Sequence, residues 1–260
     1  MDLHLSGKVA VVTGASRGIG LAVTRALVEE GARVVAAARG SSADLATLGS
    51  AVRPVAADLT SPEGPRKVID EAIAAFGGLD ILVNNVGSVH PRLGGFLSVS
   101  DEDWAATLAS NFLTAVRTTR AALPHLLRRG AGAIVTVSSV NAFLPDPVVM
   151  DYSAAKAALT NFCKSLSKEV GPKGIRVNTV SPGPVATDLW LGEKGVASTI
   201  AGASGGQADA VAKQAAASMV TGRFTRPEEV AQLVLTLASD RAGNVVGADF
   251  VIDGGLITTL

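Results

Sequence analysis

The feature that most constrains this chain is a repeated alternation of short apolar runs with longer amphipathic stretches. The runs at 9–13, 34–37, 52–56, 81–84, 134–137, 176–180 and 250–252 are rich in Val and Ile and apolar at successive positions. A strand with one wet face alternates apolar and polar residues, whereas a strand apolar on both faces belongs inside a parallel sheet. Helical patterns fill the gaps at 18–30, 63–76, 102–129, 153–170 and 227–239. The last opens with Pro227 at a first helical position and Glu228 and Glu229 in the positive first turn. Repeated strand–helix–strand units with right-handed crossovers predict a doubly wound α/β domain. The sheet should have seven parallel strands with helices on both faces, in one domain spanning 1–260. A chain of this length, 48% hydrophobic, can bury such a core.

The rhythm breaks once, between 189 and 222, where the run GVASTIAGASGG is rich in small residues. The composition predicts mobility, so this stretch is read as a loop or lid over a binding site. Charge narrows the choice of partners. Lys plus Arg and Asp plus Glu are 23 each, so the formal net charge is zero. That gives no electrostatic reason to expect nucleic acid or an anionic membrane. No apolar run is long enough to span a bilayer, and the start, MDLHLSGKVAVVTG, has neither the charged nor the cleavage-site pattern of a signal peptide. The single cysteine, Cys163, allows no internal disulfide and suits a reducing, cytoplasmic setting. His4, His90 and His125 are scattered without ligand spacing, so no metal site is expected.

The first run leads directly into Thr13-Gly14-Ala15-Ser16-Arg17-Gly18-Ile19-Gly20, and a helix follows. Glycines there allow a tight turn and close approach of backbone to ligand. The free N–H groups of the new helix then face an anion such as a pyrophosphate. The spacing is G-x-x-x-G-x-G rather than G-x-G-x-x-G. An acid at the end of the second strand would hold the ribose 2′-OH of NAD, and an arginine suits the 2′-phosphate of NADP. Here the second strand runs into Arg39, with no acid before Asp44, and Arg17 lies in the glycine turn. Two guanidinium groups and no acid favour NADP, with NADPH preferred over NADH.

Tyr152 is the only tyrosine, and Lys156 follows it by four residues, on the same face of a helix. A cation there is expected to lower the phenol pKa from about 10 toward neutrality, making a usable proton donor and acceptor. Ser138 and Ser139 end the fifth strand just ahead of this helix, where a doubly wound fold places its ligand. Either hydroxyl could hold a carbonyl oxygen beside the tyrosine.

Taken in order, these residues resemble the short-chain dehydrogenase/reductase family along nearly the whole chain. The resemblance rests on the glycine turn, Asp58-Leu59, Asn84-Asn85-Val86-Gly87, Asn111, Ser139, Tyr152 with Lys156, Pro182-Gly183 with Thr187, and Asp253-Gly254-Gly255. It implies a Rossmann-type fold and roles for the matching positions. Tyr152 would be the general acid, and Ser139, rather than Ser138, would hold the carbonyl. Lys156 would lower the phenol pKa and bind the nicotinamide ribose, and Asn111 would hold a relay water. Gly14, Ser16, Arg17, Gly18, Ile19 and Gly20 would seat the phosphates and Arg39 the 2′-phosphate. Asp58 and Leu59 would meet the adenine, and Asn85 and Gly87 the adenosine ribose. Pro182, Gly183, Val185 and Thr187 would seat the carboxamide. Val86 stands where the family usually has alanine. The family resemblance also implies a homotetramer through small-residue helix faces.

Residues flanking this set are Val140, Asn141, Phe143, Met150 and Trp190, with Leu189, Leu191 and His90 nearby. They form a mainly apolar group with an aromatic wall, suited to a hydrophobic small-molecule substrate. The expected activity is NADPH-dependent reduction of an apolar ketone or a 3-oxoacyl thioester. The alternatives are an NADP-dependent dehydrogenase oxidising a cyclic or steroid-like alcohol, and a catalytically silent NADPH sensor. The last is disfavoured because a sensor needs no acid.

Overall fold

The structure is a computed structural model that describes residues 2–40 and 42–259. The seven apolar runs become β1 (Val9–Thr13), β2 (Arg33–Ala38), β3 (Val52–Ala56), β4 (Ile81–Asn84), β5 (Gly132–Val137), β6 (Ile175–Pro182) and β7 (Asp249–Ile252). They form one sheet in the order β3-β2-β1-β4-β5-β6-β7, every neighbouring pair parallel. The chain winds outward from β1 in one direction, then returns to β4 and winds in the other. The crevice for a ligand in such a sheet lies at the carboxyl ends of the strands flanking that reversal.

Burial on both faces holds for the five inner strands only. β1 and β4 are buried throughout, whereas β3 and β7 are partly exposed edge strands. Pro54 in β3 has no N–H to offer a further strand, which suits an edge. Within β1, Ala10 and Val12 face one core layer, and Val9 and Val11 face the other.

The helices are α1 (Gly18–Glu29), α2 (Ala43–Ala46), α3 (Gly64–Phe76), α4 (Asp101–Leu108), α5 (Thr114–Arg129), α6 (Met150–Val170), α7 (Asp188–Leu191), α8 (Val196–Ser204), α9 (Ala208–Ala217) and α10 (Pro227–Ala238). α1 and α10 cover one face through residues such as Val23, Leu27, Val230 and Val234. α3, α5 and α6 cover the other through Ile69, Leu126 and Leu159. The expected single helix over 102–129 is interrupted by a π-helical turn, Ala109–Leu113. The stretch at 189–222 is largely helical rather than a loop. Its alanines favour helix, and its glycines mark the ends, with Gly195 at one cap and Gly205 in the left-handed region at the other.

Arg176 joins sheet to helix. Its guanidinium donates to the carbonyls of Leu237, Ala238 and Ser239 at 2.6, 3.2 and 2.9 Å, capping the end of α10. Arg176→Met should therefore lower the free energy of unfolding by about 2 kcal/mol, measured by urea titration. A change within experimental error would show that the cap contributes nothing.

Candidate active site

The switch point between β1 and β4 is locked by one threonine. Thr13 Oγ1 accepts from the Asn85 N–H at 2.8 Å and donates to the Val83 carbonyl at 3.2 Å. The Asn85 side chain then donates to the carbonyls of Thr13 and Gly14 at 3.0 and 3.2 Å. Gly14 and Gly18 take φ values of +65° and +54°, which favour glycine. A Cβ on Gly20 would meet the Gly14 carbonyl at 2.2 Å. Among the described residues no side chain caps the start of α1 and no acid lies in its first turn. The turn thus presents N–H groups in a cradle shaped for an anion.

Around this cradle the expected nucleotide residues are spread along the carboxyl edge of the sheet. Thr187 lies against the turn, its Cγ2 at 3.2 Å from where a Gly18 Cβ would be. Gly183 packs against Asp253. Val185 is buried in the core and forms a parallel bridge with Thr225, so it presents backbone rather than side chain. Leu59 likewise points into the core. The Asp58 carboxyl accepts from Thr60 Oγ1 and N at 2.7 and 2.9 Å; these bonds, with the nearby Arg39, hold it below its usual range. Arg17 sits one residue before α1, its guanidinium 4.0 Å from Asp188, and is largely exposed. Ser16 is tethered through its carbonyl to Ser42, and Ile19 packs on the core. Val86 packs on the core as well, so the larger side chain is accommodated.

The serine pair is resolved by direction. Ser138 bonds Thr160 Oγ1 at 2.6 Å, facing α6. Ser139 starts a 3-10 turn, Val140–Ala142, and its hydroxyl donates to Asn141 Oδ1 and accepts from the Asn141 N–H, both at 3.2 Å. The Ser139 hydroxyl also acts on the Tyr152 phenol, favouring its ionised form. Lys156 Nζ lies 5.6 Å from the Tyr152 ring centre and donates to the Val137 carbonyl at 3.0 Å. A Cβ on Gly87 would meet Asn111 Oδ1 at 3.0 Å and Lys156 Nζ at 3.4 Å, so the loop passes close to both side chains.

One expectation changes here, and the partners of a second residue become visible. Burial pushes the Tyr152 phenol up, opposed by the Ser139 bond, rather than down. The second residue is Asn111. Its Oδ1 accepts from the Ser88 N–H at 3.0 Å and its Nδ2 donates to the Ser88 carbonyl at 2.9 Å, pinning the loop after β4.

Of the substrate-side group, Val140 is buried and Asn141 touches Ser139. Phe143 and Met150 are exposed, and Trp190 stacks edge-on against Phe224 at 5.3 Å. A groove of about 370 Å³ between α3 and α5, lined by Arg66, Arg117 and Arg120 among others, contains none of these residues. Sequence reasoning missed Arg92, Thr107 and Asp151. Arg92 bonds Asp151 at 2.6 Å and Asp103 at 3.0 Å, and Thr107 donates to Asp151 at 2.7 Å. Separations of 59 and 44 residues leave no pattern to read.

The family model described as enoyl-(acyl carrier protein) reductase matches residues 14–257. A 3-oxoacyl-(acyl-carrier-protein) reductase from Vibrio cholerae is 34% identical, covering 98% of this chain and 99% of its own. D-threitol dehydrogenase from Mycolicibacterium smegmatis is 38% identical, covering 98% and 94%. The crystal structure of L-sorbose reductase from Gluconobacter frateurii, complexed with NADPH and L-sorbose, superposes with a TM-score of 0.91 at 36% identity, covering both chains fully. The chain belongs to the short-chain dehydrogenase/reductase family. It is an NAD(P)-dependent oxidoreductase acting on CH–OH and C=O groups.

Burial pushes the Lys156 ammonium down to about 8 from its usual 10.5. Below about 8 the native chain carries that desolvated charge and its penalty in full. Between about 8 and 10.5 the unfolded chain binds a proton that the folded chain has released, so this group adds stability as pH rises. Relative to Lys156→Met, the native chain should gain stability from pH 7 to pH 10 in denaturant titrations. A constant difference would show that the ammonium is not desolvated.

Proposed function

We propose that this chain reduces the carbonyl of an apolar ketone or a 3-oxoacyl thioester and prefers NADPH to NADH. The observation that carries this reading is the convergence of Tyr152 and Lys156, one helical turn apart with Lys156 Nζ 5.6 Å from the phenol ring centre, with the Ser139 hydroxyl and with Gly87 in the loop after β4. The close packing of Gly14, Gly18 and Gly20 leaves backbone N–H groups for a pyrophosphate, so the residues present fit a dinucleotide. Ser16 and Ile19 complete that turn, and Arg17 and Arg39 would hold a 2′-phosphate. Asp58 and the Leu59 backbone would meet the adenine. Asn85 and Gly87 would line the adenosine ribose, and Pro182, Gly183, Val185 and Thr187 the carboxamide. When bound, the nicotinamide supplies the hydride for the carbonyl carbon.

The chain's own residues handle the oxygen. Tyr152 donates its phenolic proton to the carbonyl oxygen, and the Ser139 hydroxyl bonds the same atom. Burial keeps the phenol protonated at neutral pH, the form a reduction requires. Lys156, titrating near 8, would hold the nicotinamide ribose and would return a proton to Tyr152. Asn111 fixes the loop at Ser88 and would hold the relay water. The segment 189–222 would cover the substrate, since α7 begins just past Thr187 at the cradle.

Exposed Phe143 and Met150, with Trp190, support an apolar substrate. A second reading, a polyol or ketose, is favoured by the Asn141 amide at the Ser139 hydroxyl and by the threitol and sorbose enzymes among the relatives. The opposite direction, oxidation of an alcohol, uses the same groups in reverse. We further propose a homotetramer in the cytoplasm. Small-residue faces on α5 and α6 suit close packing, and one buried free cysteine suits a reducing setting.

The test is NADPH oxidation against a short 3-oxoacyl thioester, a set of apolar ketones and a set of ketoses. Turnover on ketoses alone would overturn the apolar reading. Tyr152→Phe should lower turnover by about 10²-fold or more while keeping NADPH affinity within a few fold. Near-native turnover would remove Tyr152 from its role. Arg39→Asp should move the preference toward NADH; an unchanged preference would sink the 2′-phosphate assignment.

A further inference from the structure

The residue ahead of Tyr152 is a buried carboxylate. Asp151 is 2% exposed, and its Oδ1 accepts from the Tyr152 N–H at 3.0 Å. Its Oδ2 receives three donors: Arg92 Nη2 at 2.6 Å, Arg92 Nε at 3.0 Å and Thr107 Oγ1 at 2.7 Å. The same guanidinium reaches Asp103 on α4 through Nη1 at 3.0 Å. The Arg92 backbone N–H also donates to the Val148 carbonyl at 2.6 Å, just ahead of α6. One side chain therefore joins three segments. These are the loop after β4, the helix α4 that leads into the π-turn bearing Asn111, and the first turn of the helix bearing Tyr152 and Lys156.

A buried carboxylate is tolerated only when paired and fully hydrogen-bonded, and breaking such a pair leaves an uncompensated charge. Nothing in the cofactor cradle needs this ion pair, and its bonds run to the segment that carries the phenol. We propose that Arg92 is a positioning residue, whose clamp on Asp151 and Asp103 fixes the first turn of α6 and balances the carboxylate beside Tyr152. The other charged groups around this turn are Asp146, whose carboxylate accepts from the Val148 N–H, and Lys156 one turn further along α6. The inference rests on Tyr152 being the proton donor.

Because Tyr152 is the only tyrosine, replacing tyrosine by 3-fluorotyrosine gives the full chain a single ¹⁹F label on that phenol. The fluorine also lowers the phenol's titration toward neutral pH. The midpoint is read by ¹⁹F NMR, with and without NADPH, and needs no substrate. Arg92→Met leaves an extra unpaired anion and should raise the midpoint by about half a pH unit. Asp151→Asn leaves an extra cation and should lower it by about the same amount. The double variant should return near the native value, and Arg92→Lys should stay close to it. Midpoints that both drift toward free tyrosine would mean only a loosened helix, and midpoints that do not move would mean no coupling; either overturns the proposal. If Arg92→Met does not fold, Arg92→Gln takes its place, because only a rise separates the lost cation from a loosened helix: a raised midpoint supports the clamp, and an unmoved or lowered one overturns it. Failure here is distinct from failure of the catalytic reading, which a near-native Tyr152→Phe would show by itself.

Discussion

The site depends on the hydroxyl of Thr13. By bonding both the Val83 carbonyl and the Asn85 N–H, it ties the end of β1 to the end of β4. There the sheet's winding reverses, and the two strands would otherwise diverge into separate loops. The Asn85 amide extends the tie to the Gly14 carbonyl, which leaves no space for a Cβ on Gly20. The three glycines are thus consequences of one junction. Two need the positive φ, and the third needs the space. The same loop runs on to Gly87 and Ser88, where Asn111 and Lys156 approach. Cradle and catalytic group are therefore connected by about four residues of backbone.

Much of this was legible in the sequence for a physical reason. Burial on both faces imposes unbroken apolar runs, and β1, β4 and β5 show them. The edge strands β3 and β7 share the Val-rich runs, but each leaves part of its length exposed because no further strand or helix covers it. The stretch at 189–222 was misread because small residues signal mobility only when glycine prevails, and here alanine carries α9. The π-turn around Asn111 has no local signal. It follows from tertiary bonds to Ser88, which lies 23 residues away. Likewise Ser138 and Ser139 differ only in direction, decided by Thr160 on one side and Tyr152 on the other.

The electrostatics were the least legible part, because spacing gives proximity and says nothing of desolvation. A lysine one turn from a tyrosine suggests a phenol held low. In the fold, burial acts on both groups at once and pushes each toward its neutral form, the phenol up and the ammonium down to about 8. One N–H of Lys156 is donated to the Val137 carbonyl, which helps place the ammonium beside the phenol ring rather than on its oxygen. Only the Ser139 bond favours the tyrosinate.

That balance bears on direction. Reduction starts from a protonated phenol, which the fold supplies at neutral pH without further adjustment. Oxidation starts from a tyrosinate, which this environment disfavours and rising pH restores. The two directions share every residue, so residue identity cannot rank them, yet the cost of preparing the first proton state can. The buried carboxylate at Asp151 adds to the same bias wherever its charge is not cancelled, and Arg92 is the group that cancels it.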